Sequence, residues 1–257
     1  MPWKVVGASV LGSDHENAGK PCEDAHTFEV VDEILIAAVA DGAGSARRGG
    51  EGAEVCSDTV VSFLSDQTSF GLFDSESSFT GHIEAVVGAI RAARQRIRAK
   101  ITEKSLRYKN EDGLETFNAT LVGVVANPNG GFLFHIGDGA ALAARADDLE
   151  RATVSPPENG DFVEETYFFT MDNWREHLRI TPFERCNLIM IATDGASCFS
   201  FAEGGRAAAP AFMKPLTQYL EEVEESVGEK TLTDWLCSDP AQAVSGDDKT
   251  LLWARYQ

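Results

Sequence analysis

Three stretches of this sequence close on the same dipeptide. Residues 35–46 (LIAAVADGAGSA), 132–139 (FLFHIGDG) and 188–195 (LIMIATDG) each run through small or apolar residues into Asp-Gly, at Asp41, Asp138 and Asp194. A buried strand that ends this way delivers one carboxylate at the sheet edge, and the glycine lets the backbone turn sharply or approach a neighbour closely. Any one such aspartate is an ordinary turn or cap residue. Three imply convergence, and converged carboxylates repel and raise one another's pKa unless a cation lies among them. Glu23, Asp24, Asp247 and Asp248 also stand at strand ends or beside glycine turns, and no histidine or cysteine is placed to join them. An all-oxygen donor set selects a hard ion: magnesium, manganese or calcium. The alternating D-x-D-x-D loop of a structural calcium site is absent. Ligands drawn from separated places point instead to an open binuclear site, with a bridging aspartate and a hydroxide between two ions.

The elements that would position these groups follow from periodicity. Residues 3–11 read as a strand closed by Gly12-Ser13-Asp14, 15–25 as a polar loop, and 26–31 with 34–40 as a hairpin leading to Asp41. Helical spacing predicts one helix over 50–64 and a longer one over 80–106, the latter with a stripe at Ile83, Val86, Val87, Ile90, Ile97 and Ile101. Residues 67–78 lack a period and are expected to form a loop. Residues 118–127 and 132–136 form a hairpin around Asn129-Gly130-Gly131, followed by strands over 140–144 and 186–192. Helices are expected within 207–227 and over 231–236, and a last strand over 251–255. Residues 145–185 are the least regular part and are expected to be a flap-like insertion, functional or mobile. Antiparallel hairpins with helices inserted in groups indicate an α+β fold, two antiparallel sheets packed face to face with helices outside.

Composition sets the bounds. A chain of 257 residues, 43% hydrophobic and without a linker rich in Gly, Ser or Pro, suits a single domain over 1–257. Forty-one acidic against 22 basic residues, a net charge of −19, argue against a nucleic-acid or anionic-membrane surface. The basic cluster over 91–104 is read as a solvated helix face. Five scattered cysteines without a C-x-x-C pair indicate neither disulfides nor a zinc ribbon and fit a reducing cytoplasm. No apolar stretch reaches signal-peptide or membrane-spanning length, so a soluble, cytoplasmic monomer is expected.

Taken in order, C-E-D-A at 22–25, A-D-G-x-G at 40–44, A-T at 119–120, G-D-G at 137–139, A-T-D-G at 192–195 and D-D-K-T at 247–250 resemble the metal-dependent serine/threonine protein phosphatases of type 2C. The variants G-x-P-C-x-D-A and D-G-A-G-S-A are similar to a bacterial branch of that family. The resemblance implies a four-layer α-β-β-α sandwich with manganese or magnesium at one end. It implies that Asp41 bridges two ions, that the Gly42 carbonyl completes the second ion's shell, and that Asp194 and Asp247 hold the first. Glu23 and Asp24 would act mainly through metal-bound water, and Asp138 with Asp194 would bind a third ion. The reaction implied is hydrolysis of phosphoserine or phosphothreonine by a bridging hydroxide, on a phosphoprotein substrate opposing a serine/threonine kinase.

Two positions depart from the family. Gly19 stands where many members carry a phosphate-gripping arginine, and Ala43 replaces the histidine of D-G-H-G. His15 is the residue singled out for phosphate contact in their place, with Lys20, Arg47 and Arg48 as further candidates. These departures support a rival reading, an inactive pseudophosphatase serving as an interaction module in kinase signalling. A two-metal nuclease suits the carboxylates but not the charge.

Overall fold

The central strands of this chain form where both faces of a sheet are covered, and that is why their sequences are almost wholly apolar. The computed structural model of the chain describes residues 3–68, 79–108, 112–159 and 166–257. Along it lie β1 (Trp3–Val10), α1 (Ser13–Ala18), β2 (Asp24–Val31), β3 (Ile34–Asp41), α2 (Gly49–Thr68) and α3 (Phe79–Tyr108). After a 3-10 turn at Leu114–Phe117 come β4 (Leu121–Asn127), β5 (Gly130–Ile136), β6 (Ala140–Arg145) and β7 (Asp148–Ser155). The chain continues with β8 (Arg179–Glu184), β9 (Leu188–Ala192), α4 (Asp194–Ser200) and the short pair β10 (Phe201–Ala202) and β11 (Ala207–Ala208). It closes with α5 (Pro210–Glu222), α6 (Glu225–Leu236), α7 (Asp239–Val244) and β12 (Lys249–Tyr256).

Two five-stranded antiparallel sheets result, ordered β1-β12-β9-β6-β7 and β2-β3-β4-β5-β8. Alternation along β3 shows the layering: Ile36, Ala38 and Ala40 pack with Val60, Leu64, Val86 and Ile90 of α2 and α3. Leu35, Ala37 and Val39 face the other way, into a core shared with Val5, Ile189, Ile191 and Leu252 of the opposite sheet. The outer face of that sheet is covered by Met213 and Leu220 of α5 and Leu232 and Leu236 of α6. The four-layer α-β-β-α sandwich is therefore the fold. Among the described residues no helix is long and apolar enough to cross a membrane.

Several boundaries differ from the sequence reading. The turn at 12–14 and the first part of the loop expected over 15–25 form α1, a six-residue helix closed by Gly19 in the left-handed region (φ 66°); it buries no residue, so it has no apolar stripe to detect. Helix α2 runs on to Thr68, leaving 69–78 of the expected loop outside the described residues. The single helix expected within 207–227 breaks at Val223, where the backbone is extended, and α6 takes in residues 225–236. Residues 145–185 are not irregular throughout: β7 and β8 occupy its two ends, while 160–165 lie outside the described residues. Both are sheet-edge strands with mixed burial, and edge strands lose the apolar run that marked the central ones.

Candidate metal centre

The antiparallel register of β2 with β3 pairs Asp24 with Asp41 at one end of their sheet. Asp41 is fixed by a two-way contact: its N–H donates to the Thr120 hydroxyl (3.0 Å), and its carbonyl accepts from the Thr120 N–H (2.9 Å). The next residue must be glycine for steric reasons, because a Cβ on Gly42 would lie 2.2 Å from the Gly49 carbonyl carbon at the start of α2. Asp138 leaves the β5–β6 connection, and Asp194 opens α4 directly after β9. Gly195 then lets β12 approach: a Cβ there would sit 2.0 Å from the Asp248 carbonyl oxygen, so any side chain would push Asp247 and Asp248 away.

The three Asp-Gly aspartates meet. One carboxylate oxygen from each of Asp41, Asp138 and Asp194 lies within 4.8 Å of the other two. Burial pushes the Asp41 carboxyl well above the usual carboxylate range, and Asp24, Asp194, Asp247 and Asp138 push it the same way. Asp194 is raised to about 7 by burial and then by Asp138 and Asp247. Burial raises Asp24 to about 8 against the opposing hydroxyls of Thr193 and Thr250. Asp138 is raised by burial against the hydrogen bond it accepts from Thr166, and its Oδ1 is buried without any hydrogen-bond partner. Carboxylates that raise one another's pKa, one with an orphaned buried oxygen, fit a hard divalent cation: an all-oxygen cluster gains by coordination what it loses by mutual repulsion.

The other expected residues surround this cluster rather than enter it. Asp247 acts on Asp41, Asp138 and Asp194 through its charge, while its Oδ1 accepts the Asp248 N–H (2.8 Å). Asp24 accepts the Thr193 hydroxyl (2.7 Å), and the Gly42 N–H donates to the Glu23 carbonyl (3.0 Å). Glu23 Oε2 is buried without a hydrogen bond, 3.6 Å from His15 Nε2 and 3.8 Å from Lys20 Nζ.

His15, singled out for phosphate contact, turns toward carboxylates, with Nε2 3.6 Å from Glu23 Oε2. Its Nδ1 lies 2.7 Å from Asp248 Oδ2, so both ring nitrogens face carboxylates. Arg48 pairs with Glu51 and lies over the Phe117 ring, leaving its Nη1 buried without a hydrogen-bond partner, and Arg47 pairs with Asp112. The residue sequence reasoning undervalued is Asp248. Almost wholly buried, it accepts the N–H groups of Gly12 (2.7 Å) and Glu23 (2.6 Å) and braces His15. Thr120 and Thr193 stand within the A-T and A-T-D-G motifs, which give no sign of the aspartates they hold, and Thr166 stands in no motif at all.

Outward from the cluster opens a cleft of about 660 Å³, walled by Ala43, Gly44 and Ser45 on one side and by Thr166, Phe168 and Met171 on the other. A family model described as protein phosphatase 2C matches residues 11–237. Serine/threonine-protein phosphatase 3 of Escherichia coli (strain K12) is 26% identical over 266 residues, covering 99% of this chain and 100% of that protein. PppA, described as a key regulatory component of T6SS in Pseudomonas aeruginosa, superposes with TM-score 0.62 at 14% identity, over 100% of this chain and 99% of that one. RsbX, solved in complex with magnesium, gives TM-score 0.56 at 14% identity over 99% and 96%. At such identities the two structures speak to the fold alone.

Proposed function

This chain belongs to the protein phosphatase 2C family, and we propose on that premise that it hydrolyses phosphoserine and phosphothreonine in phosphoproteins, using manganese or magnesium. The observation that carries the metal dependence is the half-buried cluster of Asp41, Asp138 and Asp194 with its buried, unpartnered Asp138 oxygen. Asp41, Asp194 and Asp247 with the Gly42 carbonyl would hold two ions, Asp138 with Asp194 a third, and Asp24 and Glu23 would act at the margin through water. Bound there, the ions would supply an acidified water and neutralise charge developing on the phosphoryl oxygens.

The chain's own groups position this arrangement. Thr120 holds the Asp41 backbone, Thr193 orients the Asp24 carboxylate, and Asp248 fixes the Glu23 backbone while His15 stands between the two carboxylates. Cysteine chemistry finds no support: burial and the neighbouring Asp24 and Asp248 push the Cys22 thiol up, so the cysteine beside the cluster is not a thiolate at neutral pH. A substrate phosphorylated by a serine/threonine kinase follows from the same reading. A cytoplasmic monomer belongs to the same reading, and five free cysteines are in keeping with that reducing compartment.

The test is hydrolysis of p-nitrophenyl phosphate with and without millimolar manganese, alongside Asp194→Ala. Manganese-dependent turnover lost in the variant is expected. Tight manganese binding without turnover would overturn the reading in favour of an inactive interaction module.

A further inference from the structure

Asp138 differs from its two partners in how it is held. Asp41 belongs to β3 and Asp194 to α4, but Asp138 lies in a connection, and its side chain is tied by a residue distant in sequence. The Thr166 hydroxyl donates to Asp138 Oδ2, and this leaves Oδ1 buried and unpartnered. Thr166 also lines the cleft. It is itself well placed: it forms a bridge with Asn159, and the following Tyr167 ring stacks on the His177 imidazole at 3.4 Å. Further along, the Phe169 N–H donates to the Ala119 carbonyl (3.1 Å) and the Thr170 hydroxyl to Asn118 (2.6 Å), next to the Thr120 that holds Asp41. Buried Arg94 of α3 donates to the carbonyls of Phe169 and Met171, each at 2.8 Å. Residues 166–171 thus form a stitched wall of the cleft whose first residue grips one carboxylate of the cluster.

We propose that Thr166 is a positioning residue: its hydroxyl sets the Asp138 carboxylate in the orientation that completes the cation site. Occupancy of that site and the seating of residues 166–171 against the cleft are thereby coupled, since each favours the same rotamer of one side chain. This rests on the reading of the cluster as a cation site. Supporting residues of this kind typically alter metal affinity by roughly 10- to 100-fold.

The experiment is isothermal titration of the purified protein with manganese, comparing wild type, Thr166→Val, Thr166→Ser and Asp138→Asn, with the metal-free melting temperature of each as a control. One binding event is expected to weaken by roughly 10- to 100-fold in Thr166→Val, to be lost in Asp138→Asn, and to return in Thr166→Ser, while the other events keep their affinity. If Thr166→Val folds poorly, Thr166→Ala removes the same hydroxyl that bonds Asp138 and is read in its place, against Thr166→Ser, which keeps it. Wild-type affinity at every site in Thr166→Val would overturn the proposal alone. Absence of any manganese binding in the wild-type protein would overturn the cation site and the proposal with it.

Discussion

At the scale of single residues, Asp41 and Asp248 illustrate two uses of a buried carboxylate. Asp41 is surrounded by its own kind and is costly to keep charged, whereas Asp248 is surrounded by donors. Replacing Asp41 by alanine is therefore expected to remove activity by more than the roughly 10- to 100-fold that losing a supporting residue costs, with little loss of metal-free stability. Asp248→Ala should do the reverse first. It strands the Gly12 and Glu23 N–H groups and is expected to cost on the order of 3 kcal/mol in urea unfolding. A metal-free Asp41→Ala protein much less stable than wild type would contradict this division. His135 sets a pH dependence. Burial and then the Arg179 charge hold its pKa well below the usual histidine range, against the bond to Ser155. The unfolded chain takes up a proton as pH falls through about 6.5 while the folded chain does not, so stability present above that pH is lost below it, by up to about 1.4 kcal/mol per pH unit. The raised carboxyls of Asp24 and Asp194, about 8 and about 7 in the fold, act in the opposite direction over pH 7 to 5, so the His135 contribution is read as the difference in slope of the unfolding free energy between wild type and His135→Gln. His26, lowered by burial, contributes in the same direction and accounts for part of what remains.

At the scale of elements, the strands of the two central layers determine where the site residues emerge. Leu252 of β12 is fully buried between the sheets, and β12 carries Asp247 and Asp248 to the cluster at its leading end. Leu252→Ala should cost about 2–5 kcal/mol and be visible as a lower melting temperature with manganese affinity retained. Weakened metal binding with unchanged stability would show that the core and the site are coupled differently. The central strands were readable from sequence because burial on both faces makes them continuous apolar runs, as in 35–40 and 188–192. The edge strands β7 and β8 were hidden in an irregular stretch because one face of each is wet. Helices α1 and α7, six residues each, are too short to show a stripe. Of the site, the three Asp-Gly endings identified the cluster, because a carboxylate at the end of a buried strand has few places to go. Its bracing was not legible: Thr120, Thr166 and Thr193 reach aspartates 79, 28 and 169 residues away, contacts that only the tertiary fold creates.

For the whole molecule, the net charge of −19 is unevenly consequential. Most acidic groups are solvated, but the few gathered at one end of the sandwich repel one another in a dry setting. A cation relieves that repulsion and binds the folded chain alone. Manganese at about 100 times its dissociation constant is expected to add about 2.7 kcal/mol per site, reversed by chelator. The gain should be larger at pH 8 than at pH 5, since the ligands must be deprotonated to bind. A melting temperature indifferent to manganese at pH 8 would leave the cluster without its cation. The central claim is more specific than metal binding, and its most direct test is release of phosphate from a phosphothreonine peptide by the purified protein, titrated with manganese against chelator, beside Asp41→Ala. Turnover that rises with manganese, vanishes in chelator and is absent from the variant is the predicted result; turnover that persists in chelator, or none at saturating manganese, would contradict it.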